Sequence, residues 1–166
     1  MFLSGCTARK KREWGAFTTD DVELLDEIGE TILPVSANSP GAKAAKIGNF
    51  MKVIVTDCYD DNEQSTFLQG LTAFNEFCRE QTGKDFLKLA PPDKHKVLVA
   101  LETEAKTYTA KRKEQDPQHY FVMLKQLTVW GYFTSEPGAT KALRFVPIPG
   151  RYEGCIPYDG ESAWLY

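Results

Sequence analysis

Apolar positions recur along most of the chain at spacings of three and four, the period of one helix face. The first such run is "FTTDDVELLDEIGETILP", where Val22, Leu25, Ile28 and Ile32 form a stripe. Thr18 or Thr19 can cap it, Asp20 and Asp21 complement the positive end of the helix, and Pro34 ends it. A turn-rich loop, "PVSANSPG", follows. The pattern predicts a second helix from Ala42 to about Cys58, with Ala45, Phe50, Ile54 and Cys58 in phase. It predicts a third near Glu63 to Thr82, with Phe67, Leu71, Phe74 and Cys78 inward and Gly83 closing it. Phe86, Leu87 and Leu89 are placed to tuck under the helices, and Pro91 or Pro92 to open a fourth helix that uses Val97, Leu98, Leu101 and Ala105. A fifth, beginning at Asp116-Pro117, uses Phe121, Leu124, Leu127, Thr128 and Trp130, and a brief turn follows around Ala139 to Leu143.

No strand alternation interrupts these runs. The expected class is all-α, an antiparallel helical bundle of five to six helices followed by a long irregular tail rich in aromatics and proline. The divisions are a flexible leader over 1–16, a helical bundle over 17–143 and an extended tail over 144–166. The tail, "RFVPIPGRYEGCIPYDGESAWLY", holds five aromatic residues, more than a solvated tail normally carries. At full extension its 23 residues would reach about 75 Å, enough to cross the bundle. It is expected to pack on its own bundle, on a partner, or on both.

Composition narrows the function. The net charge is −3 with acids and bases interspersed, unlike the basic face of a nucleic-acid binder, so no nucleic-acid partner is expected. The one basic run, "ARKKR", lies in the leader behind "LSGC", which has the form of a lipobox ending in Cys6. That pattern marks Cys6 for lipidation, a membrane tether, and a periplasmic or cell-envelope location. It lacks the charged and apolar regions of a signal, so either the upstream part of a longer precursor precedes it or the match is chance. Cys58 and Cys78 are a candidate disulfide across a helical hairpin, with two small buried thiols as the alternative.

Catalytic chemistry leaves little trace. Phosphate-cradle glycines, a G-x-S-x-G elbow and C-x-x-C spacing are all missing, and the carboxylates Glu102 and Glu104 near His95 do not repeat the E-x-x-H pattern of a bundle metal site. Asp20, Asp21, Asp60 and Asp61 are read as caps, and His119 as a solvated residue of a first helical turn. No catalytic, cofactor-binding or metal-binding residue is assigned. Interfaces are enriched in Tyr, Trp and Arg. On that basis Trp130, Tyr132, Phe133, Pro137, Phe145, Pro149, Tyr152, Tyr158 and Trp164 are the expected partner contacts.

Three blocks carry a resemblance: "LLDEIGETILPVSANSPGAKAAKIGNFM" over Leu24 to Met51, "FLQGLTAFNEFC" followed by "GKDFLKLAPPDK", and, the most specific because generic helix patterning does not produce it, "LTVWGYFTSEPGATKALRFVPIPGRYEGCIP". Through them the chain resembles the gluconate 2-dehydrogenase subunit 3 family, small partner subunits of flavin-dependent sugar and sugar-acid dehydrogenases. The resemblance implies a non-catalytic accessory subunit that binds, stabilises and helps export a large subunit of the glucose-methanol-choline oxidoreductase (GMC) type. The FAD is then expected in that partner and no cofactor in this chain, with a cytochrome c or another acceptor taking the electrons. The family's typical twin-arginine signal is not matched, because Arg9 to Arg12 follow the lipobox-like stretch. The alternatives, in order, are a lipid-tethered helical structural or ligand-binding periplasmic protein without a dehydrogenase partner, and an enzyme with a pocket inside the bundle.

Overall fold

The computed structural model describes residues 17–148, 150–151, 154–155 and 157–165. Among these the chain is mostly helical, with α1 over Thr19–Ile32, α2 over Ile47–Asp57, α3 over Asp61–Thr82, α4 over Pro91–Lys111 and α5 over Tyr120–Thr134. Short 3-10 turns cover Ala42–Ala45 and Phe86–Lys88, and a π-helical turn covers Gly138–Ala142.

The helix ends follow the chemistry of their residues. The Thr18 hydroxyl accepts from the Asp21 N–H at 3.2 Å while the Thr18 N–H donates to the Asp21 carboxylate at 2.9 Å, a reciprocal box that satisfies two orphan donors. Asp60 and Glu63 repeat the device at the start of α3, and Gly83 ends that helix at a φ of 71°. Pro91 opens α4, where its missing N–H costs nothing.

Helix α2 departs from the expected pattern. It does not run unbroken from Ala42, because Lys46 sits in the left-handed region at a φ of 51° and separates the 3-10 turn from the helix. The break shifts the helical phase. Ile47, Met51 and Val55 are buried, whereas the expected Phe50 and Ile54 are half-buried and Cys58 is exposed. Gly48 lies so close to α1 that a Cβ there would come 2.3 Å from the Val22 carbonyl oxygen. The Gly48 N–H donates instead to Asp26 of α1 at 2.8 Å.

The core gathers Leu25 and Ile28 of α1, Phe67, Leu71 and Phe74 of α3, Leu101 of α4 and Leu124 of α5. Phe86 tucks beneath it with its ring edge-on to Phe74 at 5.0 Å, and Leu89 is buried beside it, but Leu87 stays exposed. Helix α5 packs on each of the other four helices.

The tail returns on itself. Strand β1, Arg144–Phe145, pairs in parallel with β2, Trp164–Leu165, so its second end comes back to its first. The Arg144 guanidinium stacks 3.8 Å over the Trp164 ring and pairs with Glu161, which fixes the closure.

No described helix is long and apolar enough to cross a membrane. The candidate Cys58–Cys78 disulfide is not formed; both are free thiols, Cys78 buried as the alternative had it and Cys58 exposed. Cys78 lies deep in α3, about 26 Å along the helix axis from its start, whereas Cys58 precedes that start, and a disulfide spans only about 6 Å between Cα atoms. The Cys78 thiol instead faces the Lys84 carbonyl oxygen at 3.4 Å, and burial pushes its pKa up.

Candidate partner-docking face

Helix α5 reads "YFVMLKQLTVWGYFT", with only Lys125 and Gln126 strongly polar. A helix apolar around most of its circumference needs cover on every side. Its inner face has that cover, with Phe121, Leu124, Leu127 and Thr128 buried. Its outer face does not, since Val129 is 40% exposed and Trp130 52% exposed. Between this face and the second half of α4 runs a groove of about 800 Å³, floored by Ala105, Phe121, Val122 and Trp130. Trp130 also stands edge-on to Phe50 of α2 at 5.3 Å, one turn from the exposed Val53.

The rim of the groove is charged. Glu102 of α4 receives Lys125 at 2.7 Å and Lys106 at 3.4 Å. The hydrogen bond from Lys125 holds the Glu102 carboxyl below its usual range, aided by the charge of Lys106.

Of the expected contact residues, Trp130 and Phe145 are at the surface and Tyr158 is 86% exposed. Phe133 and Pro137 are half-buried, and Trp164 is half-buried against Arg144. Tyr132 corrects the expectation. It is only 1% exposed, and its hydroxyl meets the Ser39 hydroxyl at 2.6 Å, so in this fold no partner reaches it. It lies four residues beyond Thr128 on the core face of α5, a placement legible in the helical period. Pro149, Tyr152 and Cys6 lie outside the described residues. Among the described residues no three metal-ligating side chains converge.

A sequence model described as Gluconate 2-dehydrogenase subunit 3 matches residues 19–150. The chain belongs to that family. No curated protein and no solved structure matches it. The segments that suggested this subunit 3 family turn out to be joints of the fold. In the first block, the Glu30 carboxylate accepts from the Val35 and Lys43 N–H groups at 3.1 and 2.9 Å, and Glu27 receives both Lys43 and Lys94. Gly29 is needed there because a Cβ would meet Ile47 at 2.5 Å. In the last block, the Ser135 hydroxyl donates to the Tyr132 carbonyl at 2.6 Å and accepts from the Gly138 N–H at 3.2 Å. A Cβ on Gly138 would fall 1.9 Å from that same carbonyl oxygen. The motif thus folds the chain tightly under the end of α5 and delivers it into β1.

His119 also corrects its expectation: it is a buried N-cap, not a solvated residue. Its Nδ1 accepts from the Phe121 N–H at 3.2 Å, so the proton of the neutral ring sits on Nε2, 3.8 Å from Glu104. Tyr120 stacks on the ring at 4.6 Å, and Tyr108 lies edge-on at 5.3 Å. Burial lowers the His119 pKa from 6.5, outweighing the opposite pull of Glu104. A depressed histidine favours folding above its unfolded value, and that contribution is lost as the pH falls through the folded one. Urea unfolding in steps below pH 6.5 should therefore show wild-type stability declining. His119→Asn keeps a capping acceptor, its side-chain oxygen replacing Nδ1, but cannot titrate, and its decline should be shallower. Equal slopes would contradict the assignment.

Proposed function

We propose that this chain is a non-catalytic small subunit of a flavin-dependent dehydrogenase complex. It binds and stabilises a large subunit of the GMC type, which carries the FAD and oxidises a sugar or sugar acid. It accompanies that subunit to the periplasm or cell envelope, with Cys6 as a candidate lipid anchor and a cytochrome c or another acceptor receiving the electrons. The observation that carries this reading is the family match over residues 19–150, which makes the chain a dehydrogenase subunit. The uncovered apolar face of α5 supports it, because a half-exposed Trp beside a groove is the kind of residue on which interface energy concentrates. Phe145 and Tyr158 of the closed tail are further contacts in this reading.

Trp130→Ala tests it. Among the described residues the ring's one aromatic contact is with Phe50, so folding should lose only about 1 kcal/mol. Affinity for the co-purified large subunit, followed by size-exclusion co-elution over a concentration series, should fall about 30-fold or more, corresponding to a hot-spot loss of 2 kcal/mol. Unchanged co-elution would remove Trp130 from the interface.

A further inference from the structure

We propose that the α4–α5 groove receives one amphipathic helix of the large subunit, carrying an Asp or Glu side chain opposite Lys106 and Lys125. This rests on the accessory-subunit reading and goes beyond it in naming the occupant. The groove runs from Glu102 to Ala110 on one wall and from Phe121 to Trp130 on the other. Eight or nine helical rises make each wall about 12 to 14 Å long, just over two turns. That length accepts apolar anchors at i, i+3 or i+4, and i+7 of an incoming helix. An extended segment fits less well. Strand addition draws its affinity from an open sheet edge, and both walls here are helices, which present no such edge.

The two walls differ in bulk. Ala105, Thr109 and Ala110 of α4 are small, while Val122, Val129 and Trp130 of α5 are large. An incoming helix can therefore lie close to α4 and send its side chains across toward α5. The rim selects the charge. Lys106 and Lys125 share the single carboxylate of Glu102, which leaves one positive charge uncompensated among the lining groups. A carboxylate from the partner would complete the pairing, and a basic residue there would be repelled. The same rim argues against a second copy of this chain, because a two-fold contact would set one net-positive rim against another.

The test uses the native complex, purified with its flavin-bearing large subunit from the cell envelope. A photoreactive phenylalanine analogue replaces Gln126 or Val129 in the groove, or Tyr158 in the tail as a comparison. Cross-links from positions 126 and 129 are expected to map to one helical segment of the large subunit that contains an acidic residue. Lys106→Gln with Lys125→Gln should weaken the complex about tenfold and flatten its salt dependence. Lys125→Arg, which keeps the charge, checks that the loss is one of charge and not of folding, and should leave the complex near wild-type affinity. Three results overturn the proposal. Cross-links to a second copy of this chain do so, as does a large subunit that cross-links from position 158 alone, which leaves the accessory reading standing. Purification without any flavoprotein removes that reading and the proposal together.

Discussion

Tyr132→Ala is expected to destabilise the chain by about 3–5 kcal/mol, the range for emptying a large aromatic site in a core. The ring is among the largest fully buried side chains, and it sits where α5 meets the turn that follows α1. Its loss would open a cavity beneath the motif that turns the chain at Ser135 and remove the side-chain partner of the Ser39 hydroxyl. Tyr132→Phe separates the two contributions. It keeps the packing and removes only the hydrogen bond, so it should cost about 0.5–1.5 kcal/mol. Urea or guanidinium unfolding with matched slopes measures both. An alanine variant no less stable than the phenylalanine one would show that the core does not depend on this ring. Neither substitution touches the exposed face of α5, so Tyr132→Phe should leave partner affinity unaltered.

The second large effect is at Glu27. Its carboxylate receives the ammonium of Lys94 from α4 at 2.7 Å and that of Lys43 from the loop before α2. The Lys94 side chain is only 9% exposed and lies 5.7 Å from the Phe86 ring centroid, so it has little access to water. Glu27→Ala strands that charge, which typically costs about 3–5 kcal/mol. Replacing both members, Glu27→Leu with Lys94→Met, removes charge and partner together and should recover most of the loss. A double variant as unstable as the single one would contradict the pairing. Acid should reproduce part of the effect. Burial alone would raise the Glu27 pKa, but hydrogen bonds from Lys43 and Lys94 outweigh it and hold the group below 4.5. A depressed carboxylate stabilises the fold above its unfolded value, and that support is lost as the pH falls below 4.5 through the folded one.

Much of the helical pattern was readable because it rests on local rules. The Thr18 and Asp60 caps, Gly83 as a left-handed stop, Pro91 at a helix start and the α3 stripe through Phe67, Leu71, Phe74 and Cys78 all depend on neighbours within a few residues. What escaped depends on contacts distant in sequence. The phase of α2 is set by the strained Lys46 and by the press of Gly48 on Val22, 26 residues earlier. His119 is an uncommon capping residue, and its role follows from burial between two tyrosines. The tail closes because Arg144 finds Glu161 and Trp164 some 20 residues on, a pairing that no periodicity announces. Tyr132 was separable from Trp130 in advance, since their positions on a helical wheel differ by about 200°. Aromatic enrichment selected both, but only the period tells the buried one from the exposed one.

Affinity purification of this protein from its native cell envelope, with a visible spectrum and mass spectrometry of what accompanies it, tests the accessory-subunit account most directly. The account predicts a roughly stoichiometric large protein that brings a flavin spectrum and is lost when Trp130 is replaced. A colourless monomer recovered under gentle extraction, with no large subunit beside it, would contradict it.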